Sequence, residues 1–188
     1  MFNPKNAERI NIVTGQFTGA YVHLTHMWAS ERFPDNEAYQ LDAIFHKDQD
    51  IQVFNEAVDK IYPVADRPDK FNHPVKSVDK TFEGRPIPEG FKSGGHVITF
   101  KTKETPKVYD KTMRPVPITR DNLFSGCVFV ASVNSYCVAN GVSFWLEYLV
   151  KIGEGPKLGG VSVEERFKGM ELDFNQEAGS GSVSSSFL

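Results

Sequence analysis

The sequence predicts a mainly β protein, a small antiparallel barrel of five to six strands with one interposed α-helix. Three observations predict it. Apolar and polar residues alternate at period two along residues 16–28, 37–46, 96–103 and two runs at about 126–138 and 142–152. Helical spacing is carried by Ile51, Phe54, Val58 and Ile61. Asn140-Gly141 separates the last two runs and is a strong hairpin signal, because a type I′ turn needs positive φ at both central residues.

Along 16–28, Ala20, Val22 and Leu24 share one face, with Tyr21, His23 and Thr25 on the other. A loop with Pro34-Asp-Asn36 leads to 37–46, where Tyr39, Leu41, Ala43 and Phe45 face in. Asp48 is the expected N-cap of the helix, and Pro63 ends it. Residues 63–95 hold Pro63, Pro68, Pro74, Pro86 and Pro88 among several glycines, which predicts a long irregular insertion. In 96–103, Ile98 and Phe100 point inward, and Val97, Thr99, Lys101 and Lys103 outward. A turn at 104–106 leads to Val108-Tyr109 and a Pro115/Pro117 corner.

With the turn at Asn140-Gly141, Phe129/Ile152, Ala131/Val150, Val133/Tyr148, Ser135/Leu146 and Cys137/Phe144 pair on the inner face. Tyr136/Trp145, Asn134/Glu147 and Val138/Ser143 then pair on the outer one. A three-residue loop would instead set Tyr136 against Phe144. This order of elements suits the oligonucleotide/oligosaccharide-binding (OB) fold. The chain divides into a 1–160 binding domain, carrying the 63–95 insertion, and a 161–188 tail. That tail is mildly acidic, then Gly/Ser-rich, and reads as flexible.

Composition narrows the function. No apolar run approaches the ~20 residues of a membrane span, and the N-terminus lacks a signal peptide's apolar core, so a cytoplasmic protein is expected. Cys127 and Cys137 lie about 33 Å apart on one strand and cannot pair. Phosphate-loop, His-Glu-x-x-His and Cys-x-x-Cys motifs are absent. His23 and His26 have a metal-like spacing, but an odd separation on a strand sends them to opposite faces. Asp42, Asp48 and Asp50 read as a strand residue, a helix cap and a first-turn acid. No nucleophile–base pair stands out, so neither catalysis nor a metal or other cofactor is expected.

Binding chemistry remains. Residues 92–120 carry seven Lys and Arg against two acids, although the whole chain has a net charge of −3. Outward Lys101, Lys103 and Lys107, with Lys111 and Arg114, form a strip suited to a phosphate backbone. The same lysines also suit a solvated edge that deters strand aggregation. Tyr21, Tyr109, Tyr136 and Trp145 fall on outer faces, where aromatic rings stack on bases. Outer aromatics equally suit a protein interface on a structural module, and cross-strand aromatic pairs also stabilise hairpins without any ligand.

The runs Ser93-Gly-Gly-His-Val-Ile-Thr-Phe100, Arg114-Pro-Val-Pro-Ile118 and Phe124-Ser-Gly-Cys-Val-Phe-Val-Ala-Ser132 resemble a family of bacteriophage single-stranded DNA-binding proteins. Asn140-Gly-Val-Ser143 and Lys151-Ile-Gly-Glu-Gly-Pro-Lys-Leu-Gly-Gly160 add to the likeness, which spans most of 16–160. The resemblance implies an OB-fold barrel that coats exposed single strands, without sequence preference, during phage replication, recombination and repair in the host cytoplasm. Lys47, Lys101, Lys103, Lys107, Lys111 and Arg114 would then meet phosphates, and Tyr136, Trp145, Tyr109 and Tyr21 would stack on bases. Such proteins often recruit replication or recombination partners through an acidic tail ending in an aromatic residue. Phe187-Leu188 resembles that ending, although the last ten residues hold no acid. The competing reading is a non-enzymatic β-barrel interaction or structural phage protein.

Overall fold

The computed structural model describes residues 8–159 apart from Arg32, Asp48 and Asp50. Five long strands form the body: Phe17–Trp28 (β2), Ala38–Phe45 (β3), His96–Thr102 (β5), Cys127–Val138 (β7) and Gly141–Glu154 (β8). They pair in the ring β7–β2–β3–β5–β8, and β8 returns to β7. A ring with an odd number of strands cannot alternate direction all the way round, so one pair must run parallel. That pair is β5–β8, with Phe100 beside Phe144 and Lys101 beside Trp145. The barrel is therefore mixed rather than wholly antiparallel. Three short strands attach to it: Asn11–Val13 (β1) on β7, Val75–Ser77 (β4) on β5 and Val108–Asp110 (β6) on β8.

Phenylalanine fills the interior. Phe17, Phe45, Phe54, Phe100, Phe129 and Phe144 are all fully buried. Helix α1 (Gln52–Ile61) stoppers one end, with Phe54 5.4 Å from Phe45 and 5.3 Å from Phe144 between ring centroids. Such pairs contribute about 0.5–1.5 kcal/mol each beyond the area they bury. The helix starts later than expected, with Ile51 in the cap position and no side-chain cap. Asp48, the expected N-cap, lies outside the described residues, three positions before that cap.

The hairpin departs from expectation by two residues. Val138 pairs with Gly141, so the turn is Ala139-Asn140, and neither residue takes positive φ. Gly141 serves close approach instead: a Cβ there would lie 2.3 Å from the Asn72 carbonyl oxygen. The Asn72 amide also donates to the Asn140 carbonyl (2.6 Å), which fastens the turn to the insertion. A shift of two preserves the faces. Tyr136 and Trp145 stay on the outside, but Tyr136 faces Ser143, Trp145 faces Asn134, and the two aromatics are diagonal neighbours.

The 63–95 insertion is more ordered than expected. It contains β4 and a short helix, α2 (Val78–Thr81). Val78, Phe82 and Phe91 pack onto outward Ala20, Ile44 and Val97, making a second apolar cluster outside the barrel. Val97, expected to face solvent, is thus buried. The two most distinctive motifs of the sequence prove to be mutual partners. Gly126 has φ +115°, and a Cβ there would stand 2.0 Å from the Pro156 carbonyl oxygen. The Gly155 amide donates to Gly126 (2.9 Å) and the Leu158 amide to Ser125 (2.8 Å).

Candidate nucleic-acid interface

The outer faces of β3 and β5 are divided in two. Toward Ile44 and Val97 they are covered by the insertion. Beyond Asp42 and Thr99 they open, and a row of registered residues crosses the sheet there. His23 pairs with Gln40, Gln40 with Lys101, Lys101 with Trp145, Trp145 with Asn134, and Asn134 with Asn11. Register partners project on the same side of a sheet. One band therefore carries an aromatic plane, an ammonium and several amides, none of them deeply buried.

Next to this row is a cleft of about 550 Å³, reached by Tyr136, Trp145, Tyr148, Lys107 and Arg9. Tyr148 was expected inside. Between the pairs Val133/Leu146 and Ser132/Tyr148, Glu147 is an extra residue in β8. That bulge reverses the alternation, so Leu149 is buried and Tyr148 is 39% exposed. Asn11 Nδ2 (3.1 Å) and Ser132 Oγ (3.0 Å) donate to Glu147 Oε2 and hold the bulge in place. A second extra residue, Ile152, shifts the pairing again, so Phe129 meets Lys151 rather than Ile152. Lys107 Nζ lies 5.4 Å above the Tyr148 ring, and Tyr109 is 6.4 Å from it. Tyr148, Tyr109 and Lys107 thus form one cation–aromatic cluster, of which Tyr148 and Lys107 line the cleft.

Local chemistry positions the other cations. The Glu104 amide donates to Thr102 Oγ1 (3.2 Å), bending the chain so that Lys103 projects into solvent. Asp110 accepts from the Thr112 hydroxyl and amide (both 2.7 Å) and the Arg114 amide (3.0 Å), which hold its carboxyl below the ordinary range. That turn exposes Lys111 and Arg114 at the tip following β6. The contrasting charge is Asp42, in the middle of the face. Burial pushes its carboxyl above the ordinary value, opposed by the Thr99 hydroxyl (2.6 Å) and the charges of Lys76, Lys101 and His23.

The structure therefore brings Lys101, Lys107, Tyr109, Tyr136 and Trp145 to one region, with Lys103 beside it. Lys47 is elsewhere. It follows Phe45, which pairs with His96 at the other end of β5, about 20 Å from Thr102 at strand rise. Its aliphatic stem covers Gly94. Tyr21 turns toward Phe91 of the insertion (6.1 Å), half exposed at the border of the covered zone, with φ +46°. Phe187 and Leu188 lie outside the described residues.

Three contributors escaped sequence reasoning. Tyr148 was hidden by the bulge. Its signal was strict alternation itself, which would have sent Leu149 outward and buried a tyrosine hydroxyl. Arg9 has no local signal. Trp28 stacks on His23 (5.1 Å, 13°), and His26 meets His23 edge-on at 5.8 Å, so the two histidines are neighbours rather than on opposite faces. The cause is a register irregularity between His23 and Trp28. Among the described residues, no three His, Cys, Asp or Glu side chains are grouped to hold a metal ion, and no helix is long and apolar enough to cross a membrane.

No protein-family model and no curated protein sequence matches the chain. Solved structures do. The single-stranded DNA-binding protein of bacteriophage Enc34 in complex with ssDNA superposes with a TM-score of 0.64 at 16% identity, covering 80% of this chain and 89% of that one. A C-terminally truncated form gives 0.63 at 16% identity, over 79% and 87%. Bacteriophage T7 gp2.5, a single-stranded DNA-binding protein, gives 0.55 at 15% identity, over 88% and 97%. The chain shares the fold of these phage proteins. Its likeness to them lies in the barrel, since roughly five residues in six differ.

Proposed function

We propose that the chain is a sequence-independent single-stranded DNA-binding protein that coats exposed strands during phage DNA replication, recombination and repair. The observation that carries this reading is the pairing of Lys101 with Trp145 on an open barrel face, beside the Tyr136–Tyr148 cleft. An ammonium and an indole in adjacent strands match a phosphate and its base in adjacent positions of one nucleotide. The diagonal placement of Tyr136 and Trp145 supports it too. Diagonal neighbours stand about 7–8 Å apart, about twice the ~3.4 Å repeat of stacked bases, so one base fits between the rings. Strand-face binding of this kind is what OB barrels offer an oligonucleotide. Lys101, Lys103 and Lys107 would meet phosphates, and Trp145, Tyr136, Tyr148 and Tyr109 would stack on bases. Lys111 and Arg114 would extend the track, with Tyr21 at its margin and Lys47 off it at the other end of the sheet. Nothing in this role requires turnover.

The test is a titration of fluorescein-labelled oligo-dT and of duplex DNA at several salt concentrations. Tight binding to the single strand, weak binding to duplex, and a linear fall of log affinity with log salt are expected. A chain that leaves single strands unshifted at low salt does not have this function.

A further inference from the structure

A second groove, of about 680 Å³, lies between α1, β4 and α2 and has no role in the cleft just described. Its polar lining includes His73, Lys76, Lys80, His96, Asn55 and Asn72, and no acidic residue among the described ones lines it. Two ammonium groups, two imidazoles and two amides form a donor-rich wall suited to an anion with several oxygens. Lys76 and Lys80 are both exposed, so their charges are free to meet a ligand from solvent. His73 is held through Nδ1 against the Val75 backbone (3.2 and 3.3 Å), leaving Nε2 as its second polar atom.

Lys76 links the groove to the open face. Lys76 pairs in register with Val97, two residues before Thr99 and four before Lys101 on β5. Its charge acts on Asp42, which accepts from Thr99 on that face. The interval from Val97 to Lys101 is about 13 Å at strand rise, a span that a strand of a few nucleotides crosses. Single OB folds cover about 4–16 nucleotides, and the aromatic cleft alone holds the short end of that range.

We infer that this groove is a second phosphate-binding site, taking the backbone of the same single strand after it leaves the aromatic cleft past Lys101 and Lys76. The inference rests on the outer face being the nucleic-acid site. Its ligand is the phosphodiester chain of a polynucleotide, bound without reading of base edges.

The test compares wild type with K76Q/K80Q, and with K80E, which leaves the charge facing Asp42 in place. Two probes are used, oligo-dT of about 6 and about 16 nucleotides, within the range of a single OB fold. For the longer probe, the double variant should lose about 1.4 from the log–log salt slope, at about 0.7 per phosphate contact. Between about 50 and 200 mM salt its affinity should then fall about sevenfold less than that of wild type. The short probe should bind K80E and wild type alike. Unchanged long-probe affinity and slope in both variants, with the short probe still bound, overturn the second site and leave the cleft reading intact. If wild type binds neither probe, both readings fail. Saturable binding of free dTTP that K80E abolishes would assign the groove to a mononucleotide and overturn the strand path.

Discussion

Replacing Trp145 by alanine separates a base-stacking role from a structural one, because the two costs act on different equilibria. Trp145 is half-buried, its direct partner is Asn134, and Tyr136 is only diagonal to it. The cross-strand contribution to stability is therefore toward the low end of ~0.2–1 kcal/mol. Half the burial of a large apolar side chain adds roughly 1 kcal/mol. A total of about 1–2 kcal/mol, set against a typical stability of about 5–15 kcal/mol, leaves nearly every molecule folded. Unfolding thus contributes almost nothing to the apparent Kd. Loss of one stacked base costs about 1–3 kcal/mol, which is about 5- to 150-fold in Kd. Fluorescence anisotropy with labelled oligo-dT reads the second quantity, and urea unfolding reads the first. W145F should recover most of the affinity, since a ring remains. Intrinsic quenching is measured in a W28F background, because Trp28 stacks on His23 at the end of the same row. A W145A protein that binds within twofold of wild type refutes the stacking role.

Three further outcomes follow from the same geometry. Y148A should weaken oligo-dT binding by about 5-fold or more, the low end of one stacked base, whereas Tyr148 buried in the barrel would make the same change chiefly destabilising; anisotropy and urea midpoints together decide between them. D42N should tighten DNA binding and raise stability at neutral pH, because burial lifts the Asp42 carboxyl above 3.8. The folded state then holds that proton more firmly, so the stabilisation present below pH 3.8 is lost as pH rises through the raised value, and urea melts of D42N should lack this dependence. G126A should cost about 2–5 kcal/mol, from positive-φ strain and the clash with Pro156, seen as a lower urea midpoint with an unchanged slope.

The barrel was legible because its long strands obey period two over most of their length, and its helix obeys 3.6. What the sequence left ambiguous was register. Asn140-Gly141 carries a strong turn preference, and it lost to two tertiary contacts, the Asn72–Asn140 hydrogen bond and the approach of Gly141 to Asn72. Neither contact is visible within the hairpin itself. Because the slip was two residues, Tyr136 and Trp145 kept their outer face. The bulge at Glu147 was different, since an odd slip exchanges faces. It moved Tyr148 from the expected core to the site, and the donors that hold it, Asn11 and Ser132, come from other strands. Lys47 shows the opposite limit: its charge was legible, but its position at the far end of β3 depended on the sheet order.

Outward apolar residues on this barrel divide by what covers them, and that division defines the site. Ile44 and Val97 point away from the core, yet they are buried because Val78, Phe82 and Phe91 pack on them. Two positions further along each strand the outward residues become Asp42 and Thr99, and the cover stops. Tyr136, Trp145 and Tyr148 lie beyond that border, outward and aromatic, around a cleft that no second apolar layer of the described residues covers. An isolated apolar residue on an outer strand face implies another element above it. A group of aromatics that no described residue covers is open to a partner, as the proposed single strand requires. The neighbouring ammonium groups of Lys101 and Lys107 suit a negatively charged partner, and the flat ring faces suit the bases of the proposed strand.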